Sequence, residues 1–133
     1  MAASLVRWFS DLGVNDVPVV GGKNASLGEM ISTLSEQGIR VPDGFATTAD
    51  AYWHFVDAAG IRDTLSERIG ALRAGDAPLE RVGADIRRAF LHADMPDDLR
   101  QTIVESYHAL GEREENATLD VAVRSSATAE DLP

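Results

Sequence analysis

The sequence contains no cysteine, which excludes disulfide staples, thiolate metal sites and a cysteine nucleophile. It also lacks an apolar run long enough to span a bilayer. The opening stretch has no extended apolar core and meets Asp11 and Asp16 early, so it does not read as a secretion signal, and the expectation is a soluble cytoplasmic protein. Basic residues are scarce: 12 Lys and Arg stand against 22 Asp and Glu, a formal net charge of -10. Nucleic acid and acidic membrane surfaces both require a basic face, so neither is an expected partner. An anion site on this chain has to be built locally, against the global charge. Metal-protease spacing is missing too. His54, His92 and His108 lie in or beside helical patterns, none within a serine–acid arrangement or an H-E-x-x-H motif, and all three read as partly exposed packing residues.

What is present is the material for a core. Hydrophobic residues make up 44% of the 133, enough for one domain or a piece of a larger one. "LVRWFSDL" reads as an edge strand, and Asn15–Val20 as a brief strand leading to Gly21. Leu27, Met30, Ile31 and Leu34 fall at helical spacing, with Gly38 as the stop. Pro42 and Gly44 mark a turn before a short strand at Phe45–Thr47. Thr47 and Asp50 have capping-box spacing ahead of a helical face of Tyr52, Phe55, Val56 and Ala59, closed by Gly60. Ile61, Leu65, Ile69 and Leu72 form the next stripe. Pro78 is placed just inside a helix that buries Leu79, Val82, Ile86 and Phe90. Pro96 opens another, with Leu99, Ile103 and Leu110 ending at Gly111, followed by an acidic loop containing Glu112, Arg113, Glu114 and Glu115. Leu119–Val123 reads as a largely buried strand. Because that strand is followed by one loop and no closing element, the expectation is the front portion of something larger. Trp53 is assigned to the core, whereas Trp8 fits either core or a domain contact.

Two stretches carry the functional argument. The first is "VVGGKNASLGEM". Gly21 and Gly22 allow close backbone approach, and a helix starts directly behind them. Lys23 stands at the positive end of that helix, where the dipole disfavours a cation. A phosphate guest explains the placement, since helix-start amides and a lysine can share it. The pattern is not a Walker A loop, because Asn24 follows the lysine and Val17 occupies the first glycine's place. A solvated surface lysine after a tight turn is the alternative.

The second stretch is "VAVRSSATAED". Arg124 ends an apolar run and is followed by Ser125, Ser126 and Thr128. Its planar fork of donors suits phosphate oxygens, and the hydroxyls could orient the same anion. The alternative is an ion pair between Arg124 and Glu130 or Asp131.

Together, "VGGKNASLGEM", "VPDGFATTADAY" and "AVRSSATAEDLP" resemble, in order and spacing, the amino-terminal part of the phosphoenolpyruvate synthase (pyruvate, water dikinase) family. The match is weakest between Ile61 and Ala117. Pyruvate, phosphate dikinase and rifampicin phosphotransferase share the general plan; "GGKNASLGEMI" and "LGVNDV" lean toward the synthase, and "RSSATAEDLP" does not separate it from rifampicin phosphotransferase. The resemblance implies an α+β fold in which residues 1–133 are the helix-rich front part, with few short strands, of an ATP-grasp type nucleotide-binding domain. It assigns Lys23 and Arg124 to ATP phosphates, with Gly21, Gly22, Ser125 and Ser126 as secondary contacts. The implied reaction converts ATP, pyruvate and water to phosphoenolpyruvate, AMP and phosphate through a phosphohistidine on a separate domain, in gluconeogenesis. The implied cofactors are ATP and Mg2+, with the metal ligands, the phosphohistidine and the pyruvate site in the remaining domains of the parent enzyme. On this reading the 133 residues alone hold phosphate contacts without a catalytic residue and are not expected to turn over. A rifampicin phosphotransferase fragment and a non-catalytic interaction module remain as alternatives.

Overall fold

The computed structural model describes residues 4–129. Among the described residues the chain is α+β: two three-residue strands form one antiparallel sheet and the rest of the regular structure is helical. It divides into two compact units, residues 1–52 with 98–133, and residues 53–97.

In the first unit, β1 (Val6–Trp8) pairs with β2 (Phe45–Thr47), placing Trp8 opposite Phe45. Their rings meet edge to face with centroids 5.5 Å apart. Two 3-10 turns, Phe9–Asp11 and Val14–Asp16, run into a single helical turn, α1 (Val17–Val20), and then α2 (Gly22–Glu36). Leu12, Val20, Ala25 and Ala46 form the buried core beneath these elements, with Phe9, Val17 and Val19 packed on it. The last helix, α6 (Asp97–Arg113), buries Leu99 and Leu110. Its carboxyl end is tied to the sheet region: the Arg113 guanidinium lies 3.6 Å over the Trp8 ring and donates to Asp43 at 2.8 Å, while Arg40 pairs with Glu114.

Several local expectations are met. Phe45–Thr47 is the strand the sequence marks, and β1 lies within "LVRWFSDL". Helix α2 stops as Gly38 requires, with Ile39 N–H donating to the Leu34 carbonyl and Gly38 N–H to Ser35. Others are corrected. Residues 17–20 are a helical turn, not a strand: Pro18 fixes a helical φ near its start, and Gly21 N–H closes the turn on Val17 at 2.8 Å. The cap of α3 (Ala49–Ala58) is Thr48, not Thr47; its hydroxyl oxygen accepts from Ala51 N–H at 3.1 Å and its hydroxyl donates to the Ser4 carbonyl. Gly111 does not end α6. It lies buried within the helix, which continues through Glu112 and Arg113, so the acidic loop is shorter than expected.

The buried side of α2 is made of small residues, Ala25 and Gly28, whereas Met30 from the apolar stripe is about half exposed. The reason is close approach. A Cβ on Gly28 would sit 2.5 Å from the Leu12 carbonyl oxygen, a backbone atom that cannot swing away. We expect Gly28→Ala to be destabilising: helix propensity gains about 1 kcal/mol, but overpacking of this kind costs about 1–3 kcal/mol. Urea unfolding should give a lower midpoint; a raised midpoint would mean that the Leu12 backbone yields.

The second unit contains the end of α3, α4 (Arg62–Ala74) and α5 (Leu79–His92). Val56 and Val82 are its fully buried side chains, and Phe55 stacks on Phe90 with centroids 5.7 Å apart. Arg68 joins α4 to α5 through Asp85 at 3.1 Å. Pro78 is the N-cap of α5 rather than its first residue, which leaves Leu79 on the open first turn and exposed. Trp53 is not core. It is 45% exposed, with the Arg62 guanidinium 4.3 Å over its ring.

Arg62 also grips Asp57 with two hydrogen bonds, of 2.6 and 2.9 Å. These bonds hold the Asp57 carboxyl below the usual carboxylate range against an opposing desolvation, helped by the positive charge of Arg62 and by His54. A depressed carboxylate stabilises the fold above its unfolded pKa, and that contribution is lost as pH falls through the lower folded value. Carboxyl NMR titration should therefore place the Asp57 midpoint below that of an ordinary aspartate and return it upward in Arg62→Gln. An equal midpoint in both proteins would remove Arg62 as the cause.

Candidate functional site

The glycine turn sits on the first unit's core. Val20 and Ala25, on either side of it, are both buried, so the turn between them has a fixed floor. Gly21 adopts φ 84° and ψ 165°, a region essentially closed to side-chain-bearing residues. It is the N-cap of α2, which places Gly22, Lys23 and Asn24 in the first turn, where helix amides have no intrahelical acceptor. No acidic residue stands in that turn to complement the dipole. Lys23 is exposed, and it is the only lysine in the sequence. Asn24 directs its side-chain amide back to the Val20 carbonyl at 2.8 Å.

The segment after α6 comes to this turn. The Tyr107 hydroxyl donates to the Leu119 carbonyl at 2.7 Å, and seven residues later the Ser126 hydroxyl donates to the Val20 carbonyl at 3.0 Å. The contact continues at Ala127, whose carbonyl oxygen lies 2.8 Å from where a Gly21 Cβ would stand. Between the two pins the backbone is not a strand. This corrects the expectation for Leu119–Val123: Val121 is 46% and Val123 91% exposed. Apolar composition favours a strand only when a neighbour supplies ladder hydrogen bonds and cover, and among the described residues the sheet contains only β1 and β2.

Of the residues singled out in the sequence, Gly21 and Ser126 are therefore in one contact region, with Gly22 and Lys23 on one flank and Arg124 and Ser125, both exposed, on the other. Glu130 and Asp131, the alternative partners of Arg124, lie outside the described residues. His54 is half-buried and His92 and His108 are exposed, with His108 set edge-on to Tyr107. Among the described residues there is no group of three or more His, Asp or Glu arranged to hold a metal ion, and no helix long and apolar enough to cross a membrane. Sequence reasoning missed Tyr107 and Asn24. Asn24 follows the glycine–lysine pair directly and was legible as a turn-stabilising amide, whereas nothing local marks Tyr107, whose partner is twelve residues away.

Residues 17–133 match the family described as pyruvate phosphate dikinase, AMP/ATP-binding domain. The chain is 48% identical to a phosphoenolpyruvate synthase of Neisseria meningitidis serogroup B over 100% of its own length and 17% of that protein. Against the phosphoenolpyruvate synthase of Escherichia coli it is 47% identical over 99% of its length and 16% of the relative. Against that of Aquifex aeolicus it is 43% identical over 98% and 15%. The chain thus spans about a sixth of the length of these relatives.

Proposed function

The chain belongs to the pyruvate phosphate dikinase AMP/ATP-binding domain family, and from that membership we propose that it supplies ATP-phosphate contacts to a phosphoenolpyruvate synthase. The fold is proposed as the front part of an ATP-grasp type domain. The whole enzyme would convert ATP, pyruvate and water to phosphoenolpyruvate, AMP and phosphate in the cytoplasm, in gluconeogenesis, through a phosphohistidine carried elsewhere in the parent. The relatives' name favours the synthase over an antibiotic phosphotransferase.

One observation carries the reading. The Gly21 turn and the Ser126–Ala127 backbone touch, so the helix start bearing Lys23 and the segment bearing Arg124 belong to one surface region. Phosphoryl transfer depends mainly on positioning and charge neutralisation. On this proposal Lys23 neutralises the nucleotide's phosphate tail from the start of α2, where first-turn amides add donors and the dipole favours negative charge. Arg124 offers its paired donors to the same tail. Gly21 and Gly22 keep the backbone low enough for the phosphates to approach, and Ser125 adds a hydroxyl. The described residues do not fit a metal site, so Mg2+ is proposed as the nucleotide's companion, held by groups outside them. ATP titrated to millimolar concentration should shift the amide NMR signals of Gly21–Lys23 and of Arg124–Thr128 together. Shifts confined to the second unit, or none, would contradict the proposal.

A further inference from the structure

The Val20 carbonyl accepts two side-chain donors from opposite directions along the chain. Asn24 reaches it at 2.8 Å from within α2, and Ser126 reaches it at 3.0 Å across 106 residues of sequence. A carbonyl oxygen has two lone pairs, so the pair of donors fills its capacity. A serine hydroxyl has one proton, and here that proton points into the protein. While Ser126 is bonded to Val20 it has no proton to offer a phosphate oxygen.

We infer that Ser126 is a positioning residue rather than a phosphate ligand: its bond to Val20 latches the Arg124 segment onto the Gly21 turn and thereby sets where Arg124 stands relative to Lys23. The inference rests on the nucleotide reading above. Its physical basis is the sparse anchoring of this segment. Val121 and Val123 are exposed and contribute little burial, and among the described residues the segment is held by the Tyr107 bond at one end and by the Ser126 latch with its Ala127–Gly21 contact at the other. Tyr107 holds Leu119, five residues before Arg124, whereas Ser126 is two residues after it. The nearer pin controls the arginine. Without it the segment populates undocked states, and apparent affinity falls by the docked fraction.

The absence of native cysteine permits a clean test. A nitroxide on Ala129→Cys reports segment mobility by electron paramagnetic resonance, and ATP affinity is measured on the same protein. Ser126→Ala should raise label mobility without nucleotide and weaken ATP binding about two- to tenfold, the range for one neutral hydrogen bond. Lys23→Ala should weaken binding by removing a phosphate contact. Weaker binding by Ser126→Ala with unchanged mobility would make Ser126 a direct ligand and overturn the inference. Raised mobility with unchanged affinity would overturn it as well, because the latch would then position nothing. Failure of the unsubstituted chain to bind ATP would instead overturn the nucleotide reading and the positioning role with it, while the mobility change would still register the latch.

Discussion

Replacing Gly21 by alanine should be among the most damaging single changes in the first unit. Two separate causes act at this position. The backbone is at φ 84° and ψ 165°, where a side-chain-bearing residue costs about 1–3 kcal/mol. The new methyl would also meet the Ser126 hydroxyl and stand 2.8 Å from the Ala127 carbonyl oxygen, so the segment following Arg124 would have to move. If the backbone strain is relieved by rearranging the turn, the start of α2 is displaced. If the clash is relieved by releasing the segment, Arg124 is displaced. Either response lowers the urea midpoint and weakens ATP binding in the same variant. A stable Gly21→Ala protein with unchanged nucleotide binding would show that neither the turn nor its contact with Ala127 is needed.

Lys23→Ala and Arg124→Ala should have the opposite profile, with intact folding and a large loss of nucleotide binding. A hydrogen bond to a charged group contributes about 1.5–3 kcal/mol, so each variant should lose about ten- to 150-fold in ATP affinity. Both side chains are exposed, and neither is part of the buried core. Lys23 stands in the first turn of α2, where a cation opposes the dipole, so its removal relieves about 0.3–1 kcal/mol of dipole repulsion and should leave the fold intact. Calorimetric titration with ATP, paired with thermal unfolding, separates the two effects. Full affinity in both variants would remove the phosphate roles. Reduced affinity accompanied by a lower unfolding midpoint would mean that the cations act on the fold rather than on the guest.

Much of the site's scaffold was legible because its signals are local. At Gly38 α2 stops, with Gly38 N–H donating to Ser35 and Ile39 N–H to Leu34, Pro96 immediately precedes α6, and Phe45–Thr47 follows a turn marked by Pro42 and Gly44. What was misread depends on distant or competing terms. The valines at 17, 19 and 20 favour a strand by propensity, but Pro18 and the Gly21–Val17 bond close a helical turn within four residues. Leu119–Val123 has the composition of a buried strand and none of the partners that would make it one among the described residues. The apolar stripe of α2 suggested a face of large residues, yet the face that packs is Ala25 and Gly28, since small residues let the Leu12 backbone come close. The pairing of residues 20–21 with 126–127 could not be read locally at all. It joins chain segments more than a hundred residues apart through a serine and two backbone carbonyls.

The central claim is that the glycine turn presents Lys23 to the phosphates of ATP, and the sequence offers a direct test because Lys23 is the only lysine. An amine-directed acylating reagent should modify Lys23 readily in the free protein, as read by peptide mass. ATP at saturating concentration should slow that modification at least tenfold, Arg124→Ala should sharply reduce the protection at the same ATP concentration, and adenosine, which has no phosphates, should not protect. Equal Lys23 acylation rates with and without ATP, under conditions where ATP is bound, would contradict the account.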